Sequence, residues 1–134
     1  MAEQSQKVLL IEDNHDDVFL MRRAVKKAGM PWNVNVVMDG QEAIDYMNGA
    51  GKFANREEFP LPSLVFLDLK LPYFSGFDVL TRIRNHETLK DVPVIILTSS
   101  PEQRDQQKAA ELGANVYLIK PPTEDMLRRI AATN

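Results

Sequence analysis

The sequence predicts an α/β fold, a five-stranded parallel sheet covered on both faces by helices. Two observations predict it. Five short apolar runs recur along the 134 residues, four of them continuous and the second broken only by Asn35, as strands buried on both faces are. Amphipathic stretches of helical length stand between them, so strand and helix alternate through the chain. A third observation sets the scale: no internal repeat and no low-complexity segment interrupts the alternation, and 134 residues suit one domain with one core.

The first strand is read at residues 8–11. Asn14 then caps a helix to about Ala28, where Val18, Met21, Val25 and Ala28 form one apolar stripe and Gly29 and Pro31 end it. Residues 34–38 form the second strand. Asp39 and Glu42 are spaced for a capping box that opens a helix to about Met47. Residues 48–62 make a linker with Gly49, Gly51, Pro60 and Pro62, longer than the usual ~4–6-residue connection and so expected to be a surface excursion with a role of its own. The third strand, residues 64–67, runs straight into Asp68. Pro72 marks a turn, and Ser75 caps a helix that uses Phe77, Leu80 and Ile83. Residues 94–97 are the fourth strand. Ser100 and Pro101 suit N-cap and first helical position of the next helix, which ends near Leu112 with Gly113 as its stop. Residues 116–119 are the fifth strand. Pro121 and Pro122 separate it from a short helix capped by Thr123 and carrying Met126, Leu127 and Ile130. Right-handed crossovers favour a doubly wound sheet, and five strands favour the flavodoxin-like order 2-1-3-4-5 with its site between strands one and three.

Composition narrows the function. Sixteen basic against nineteen acidic residues leave a net charge of −3, which argues against a general nucleic-acid or anionic-membrane surface. With no cysteine, disulfides and thiolate metal sites are excluded, and a reducing compartment fits. Residues 1–7 are polar and lack an apolar signal region, and every apolar run is far short of the ~20 residues that span a bilayer. A soluble cytoplasmic protein is expected.

The chemistry lies at the carboxyl ends of the strands, which a parallel sheet gathers on one rim. The first strand is followed by Glu12 and Asp13, the third by Asp68, the fourth by Thr98, Ser99 and Ser100, and the fifth by Lys120. Asp39, after the second, is committed to capping. A single Asp after a strand is most often a cap or a solvated loop residue, but the joint pattern is hard to explain that way. Glu12, Asp13 and Asp68 at one site repel each other unless compensated. Lys120 offers one compensating charge, and a hard divalent cation such as Mg²⁺ offers another. A phosphoryl group would complete the site: Thr98 would donate a hydroxyl to it, Lys120 would pair with a second oxygen, and Mg²⁺ would hold a third. Asp68 is then either a ligand or the nucleophile. His15 and His86 read as surface residues. Asp16 and Asp17, in a first helical turn, favour the helix dipole and need no other role.

These residues resemble a known family. The motifs Val8-Leu9-Leu10-Ile11-Glu12-Asp13-Asn14, Leu67-Asp68-Leu69-Lys70-Leu71-Pro72, Leu97-Thr98-Ser99 and Leu112-Gly113-Ala114-Asn115-Val116-Tyr117-Leu118-Ile119-Lys120-Pro121 are similar to those of response-regulator receiver domains of two-component signalling. The resemblance covers nearly all of residues 1–134 and implies a single receiver domain. It implies that Asp68 is the phosphoacceptor for a histidine kinase. Asp13, Asp68 and the backbone carbonyl of Lys70 would bind Mg²⁺, with Glu12 acting through a metal-bound water. Thr98 and Lys120 would hold phosphoryl oxygens, Tyr117 would turn inward as Thr98 moves, and the Lys120–Pro121 bond would be cis. The helix after Ser100, the fifth strand and the final helix would form the output face read by a downstream protein or phosphotransfer partner.

A finer resemblance, in Glu12-Asp13-Asn14 with Asp16-Asp17, the long linker, Leu69-Lys70-Leu71-Pro72 and Thr98-Ser99-Ser100, is to small stand-alone regulators that partner phytochrome-type photoreceptor kinases. It implies a kinase of that type, and a homodimer through the fourth-helix and fifth-strand face. With the last helix ending near Asn134, no DNA-binding domain is expected. A phosphate sink or relay intermediate for another histidine kinase is the alternative within the family. A haloacid-dehalogenase-type phosphatase would need a second Asp two positions after Asp68, where Lys70 stands. A flavodoxin-like FMN carrier would need a phosphate-cradling loop where this chain has residues 12–17, rich in acid. A pseudo-receiver that is never phosphorylated would not keep all five site positions.

Overall fold

Strand and helix alternate as the apolar runs require. In the computed structural model, which describes residues 6–133, the order is β1 (Gln6–Ile11), α1 (His15–Ala28), β2 (Trp32–Val37), α2 (Gly40–Asn48), a 3-10 turn (Gly51–Phe53), β3 (Leu64–Leu67), α3 (Gly76–Arg84), β4 (Val94–Thr98), α4 (Gln103–Glu111), β5 (Val116–Ile119) and α5 (Glu124–Thr133). Of the polar stretch read at residues 1–7, residues 1–5 lie outside the described residues. All strand pairs are parallel and the sheet order is β2-β1-β3-β4-β5. The flavodoxin-like order expected from the sequence is the order found.

Successive strand residues point to opposite faces, and this splits the core in two. Leu9, Ile11, Val65, Leu67, Val94 and Ile96 face α2 and α3, whose Ile44, Met47, Val79, Leu80 and Ile83 cover them. Val8, Leu10, Leu64, Phe66, Ile95 and Leu97 face α1 and α5, covered by Met21, Val25, Leu127 and Ile130. Phe66 is fully buried on the central strand, and burial of such a ring is worth ~3 kcal/mol against leaving it exposed.

Several helix ends follow the sequence closely. Asn14 accepts from Asp17 N at α1, and Gly29 closes that helix in the left-handed region at φ 73°. Ser75 and Asp78 form a full capping box at α3. Other boundaries need correcting. β1 and β2 each begin two residues earlier than read, because Gln6 and Lys7 pair with Trp32 and Asn33 through backbone bonds that need no apolar side chain. The box at α2 is offset: Asp39 accepts from Glu42 N at 2.7 Å, but Glu42 reaches Met38 N at 2.9 Å instead of the cap residue. At α4, Ser100 and Pro101 are not cap and first position. The helix starts at Gln103 with Glu102 at the N-cap, and Ser100 Oγ accepts from Glu102 N at 3.3 Å while donating to Asp105 Oδ2 at 2.7 Å. Its hydroxyl thus spans to the first turn, and the chain uses two more residues before the helix begins. α4 buries only Ala109, so its polar sequence leaves it weakly anchored to the core.

The linker at residues 48–62 is packed rather than loose. Phe53 is buried, and its ring lies 5.1 Å from that of Tyr46 and 5.2 Å from that of Phe59. Arg56 donates to the carbonyls of Met47 and Phe59, and the Tyr46 hydroxyl donates to that of Pro60 at 2.8 Å. The segment closes the α2 side of the core.

Candidate functional site

Backbone bonds assemble the rim before any side chain is considered. Asp68 N donates to Ile11 O at 3.1 Å, which sets the end of β3 beside the end of β1. Lys120 N donates to Thr98 O at 2.8 Å, which sets the end of β5 beside the end of β4. Gly76, the first residue of α3, lies so close under Asp68 that a Cβ there would run into the Asp68 carbonyl oxygen and sit 2.6 Å from Leu69 Cα.

On this frame Glu12, Asp13 and Asp68 each offer a carboxylate oxygen, and the three oxygens lie within 4.8 Å of one another. Asp13 is exposed, whereas Glu12 is 2% and Asp68 5% exposed. Buried carboxylates this close need compensation, and Lys120 supplies it. Its Nζ lies 2.9 Å from Glu12 Oε1, 2.9 Å from Asp68 Oδ2 and 2.7 Å from Asp17 Oδ2. Burial alone would lower the Lys120 ammonium, but its hydrogen bonds to Asp17, Asp68 and Glu12 outweigh that and hold it well above the ordinary lysine range. Burial, the largest influence on Glu12, pushes its carboxyl up to about 7; the bond to Lys120 pulls down and the charge on Asp68 pushes up again.

The remaining predicted residues line the same edge. Thr98 is fully buried at the end of β4, and its hydroxyl accepts from Ser100 N at 3.4 Å. Tyr117 is half-buried and donates its hydroxyl to the Ser100 carbonyl at 2.8 Å, bridging β5 to the loop before α4. Lys70 is exposed, and its N–H donates to Asp68 Oδ1 at 3.3 Å. The Lys120–Pro121 bond is cis, as the resemblance implied. In the same loop as Lys70, Tyr73 holds φ 71°, the sole non-glycine positive φ among the described residues, and is 86% exposed.

One residue of the rim has a role beyond the one its sequence position implies. Asp17 does more than serve the helix dipole: it makes the shortest of the three bonds to Lys120. The signal for it is directional, since side chains in a helix tilt toward its N-terminus, so an acid in the first turn after β1 leans over the rim. His86 has a local role, its Nδ1 accepting from Thr88 N and Leu89 N in the turn after α3.

The donor set suits a hard cation. Carboxylate oxygens, with a backbone carbonyl and water to complete the shell, are what Mg²⁺ or Mn²⁺ accepts. Residues 8–132 match the model of the response regulator receiver domain. The chain belongs to the response regulator receiver domain family. It is a receiver of phosphorelay signalling, and the phosphatase and flavin-carrier alternatives give way to that.

Among curated relatives, the receiver is 36% identical over 131 residues to a probable methanogenesis regulatory protein, FilR2, of Methanothrix harundinacea, covering 96% of this chain and 80% of that one. It is 34% identical to the response regulator Rcp1 of Synechocystis over 84% of this chain and 75% of that one. Among solved structures it superposes on the bacteriophytochrome response regulator RtBRR with a TM-score of 0.84 and 39% identity, over 96% of this chain and 77% of that one. The Mn²⁺-bound form of Rcp1 matches with a TM-score of 0.79 and 30% identity, over 95% of this chain and 90% of that one. Among the described residues, no helix is long and apolar enough to cross a membrane.

Proposed function

We propose that Asp68 accepts a phosphoryl group from the phosphohistidine of a histidine kinase. The observation that carries this is the buried Asp68 carboxylate held at 2.9 Å by the Lys120 ammonium, inside a cluster of three carboxylates. In the transfer an Asp68 carboxylate oxygen forms the new P–O bond while the P–N bond breaks, and the electron pair stays on the imidazole nitrogen. Asp13, Asp68 and the Lys70 carbonyl would hold Mg²⁺, with Glu12 acting through a water, and the ion would supply charge neutralisation for the phosphoryl oxygens. Lys120 pairs with one phosphoryl oxygen and the Thr98 hydroxyl donates to another. These are the chain's own groups, so transfer from a small phosphodonor needs no separate enzyme.

Movement of Thr98 toward the phosphate pulls on the loop to Ser100, whose carbonyl holds Tyr117 and whose hydroxyl holds Asp105 of α4. The face of α4, β5 and α5 changes shape through those bonds, and a downstream protein reads it in the cytoplasm. The similarity to the bacteriophytochrome response regulator RtBRR supports a phytochrome-type kinase as the donor. Exposed Val116 and Ile119 on edge strand β5 support a homodimer through the same face.

Incubation with acetyl phosphate and Mg²⁺ tests the reading. Acid-labile phosphate on the wild type and none on Asp68→Asn is expected. An unlabelled wild type, or equal labelling of the variant, overturns it.

A further inference from the structure

The shortest bond to Lys120 comes from outside the acidic cluster. Asp17 Oδ2 lies 2.7 Å from Nζ, against 2.9 Å for Glu12 and Asp68, and its side chain is 29% exposed. Asp17 stands on α1 rather than at a strand end. Its place is built by a closed ring of bonds. Asn14 N donates to Glu12 Oε2 at 3.2 Å, Asp17 N donates to Asn14 Oδ1 at 3.0 Å, and Lys120 Nζ joins Asp17 back to Glu12. The cap of α1 and the lysine of the rim are therefore one structure.

The three partners of Lys120 are not equivalent. Asp68 and Glu12 both belong to the cluster suited to a cation, together with Asp13. Asp68 must also give a carboxylate oxygen to phosphorus. Asp17 is outside that cluster and is engaged by neither event. Lysine is a point charge on a flexible four-carbon stem, and it needs a fixed partner if its head is to stay in place while the others change.

We infer that Asp17 is a positioning residue that tethers Lys120 at the rim throughout phosphorylation, as the one carboxylate it keeps when Asp68 and Glu12 are engaged. This rests on the phosphoacceptor reading of Asp68. Asp16, one residue earlier in the same acidic first turn, is exposed and provides the contrast. An effect through the helix dipole would be shared by both residues, whereas a tether belongs to Asp17 alone.

The test uses the full chain as wild type, Asp17→Asn, Asp17→Glu and Asp16→Asn, with two readouts. The first is the rate of acid-labile phosphate formation from acetyl phosphate with saturating Mg²⁺, split into saturating rate and half-saturating donor concentration. Asp17→Asn is expected to lower the saturating rate about tenfold with the Mg²⁺ affinity held, because misplacing a reacting partner costs rate rather than metal binding. Asp17→Glu is expected to recover most of the loss, and Asp16→Asn to match the wild type. A rate for Asp17→Asn equal to wild type, or an equal loss in Asp16→Asn, overturns the tether.

The second readout needs no phosphate: the slowly exchanging ammonium signal of ¹⁵N-labelled Lys120 by NMR, with and without Mg²⁺. Its persistence in the wild type after Mg²⁺ addition and its loss in Asp17→Asn are expected. A signal indifferent to Asp17→Asn overturns the tether even if the phosphoacceptor reading stands. A wild type that takes up no phosphate but shows the Asp17-dependent signal overturns the phosphoacceptor reading and leaves the Lys120 contact intact.

Discussion

Glu12 is a carboxyl kept from water and placed beside a second buried acid, and its proton is consequently held to higher pH than usual. Its ordinary value is 4.5 and the folded chain raises it to about 7, chiefly by burial. Between those two values the folded state binds a proton that the unfolded state has released. Unfolding free energy therefore falls as pH rises through that window. The contribution of Glu12 is fully present below pH 4.5 and is lost once pH has passed about 7. Urea unfolding of the metal-free protein at a series of pH values is expected to show this decline, and Glu12→Gln is expected to flatten it. The same proton competes with a divalent cation for the site. Mg²⁺ affinity by calorimetry should accordingly rise with pH and level off above about 7, with the slope weakened in Glu12→Gln. Asp17 teaches the complementary lesson at this scale. A first-turn acid has a sufficient local explanation in the helix dipole, and its partner Lys120 is 103 residues away, so no local pattern announces the contact.

Helix starts, as elements, do two jobs around this rim: they end the loops, and they set how closely the loops approach Asp68. Gly76 shows the second job. It is the first residue of α3, its N–H donates to Leu69 O at 2.8 Å, and it leaves no space for a Cβ against the Asp68 carbonyl. Gly76→Ala must push the Asp68–Leu69 backbone away, a form of overpacking that costs ~1–3 kcal/mol. A lower urea midpoint together with slower uptake from acetyl phosphate is expected; an alanine variant with wild-type phosphorylation rate would show that the backbone can yield without moving the acceptor. Caps that obey a local rule, Asn14 and Gly29 at α1 or Ser75 at α3, were legible in the sequence because the whole motif lies within a few residues. The start of α4 was not. Ser100 carries the residue type of a cap, but its hydroxyl is shared between Glu102 N and Asp105 while its carbonyl holds Tyr117. The last of these partners comes from β5, and tertiary demand overrode the local preference.

At the scale of the molecule, strand order and the gathering of Glu12, Asp13, Asp68, Thr98 and Lys120 on one edge were readable because they follow from handedness and periodicity, which act everywhere in the chain. What holds the opposite end together was not readable, because it consists mostly of a side chain bonding to backbone. Arg84, at the end of α3, donates to Gly113 O at 3.0 and 2.7 Å, to Val92 O at 2.8 Å, to Lys90 O at 3.1 Å and to Asn115 Oδ1 at 3.0 Å. Asn115 Oδ1 in turn accepts from Val94 N at 2.8 Å, the first residue of β4. One guanidinium thus ties α3 to the loops that enter β4 and β5, far from the strand ends that carry the site. Carbonyl acceptors have no sequence identity, so nothing in the chain marks them as its partners. Removing the group leaves the partly buried carbonyls of Gly113 and Val92 without their donor. Arg84→Ala is expected to lower stability by about 3 kcal/mol, since bonds to a charged donor are worth more than neutral ones and part of their loss is unrepaid desolvation. Arg84→Lys is expected to restore little of it, because an ammonium cannot present the fork of donors that reaches several carbonyls at once. Urea unfolding measures both variants. The rate of phosphate uptake below the transition should stay at the wild-type level, since the rim is built from the other ends of the strands; a rate that fell with stability would mean that the two ends of the sheet are mechanically coupled.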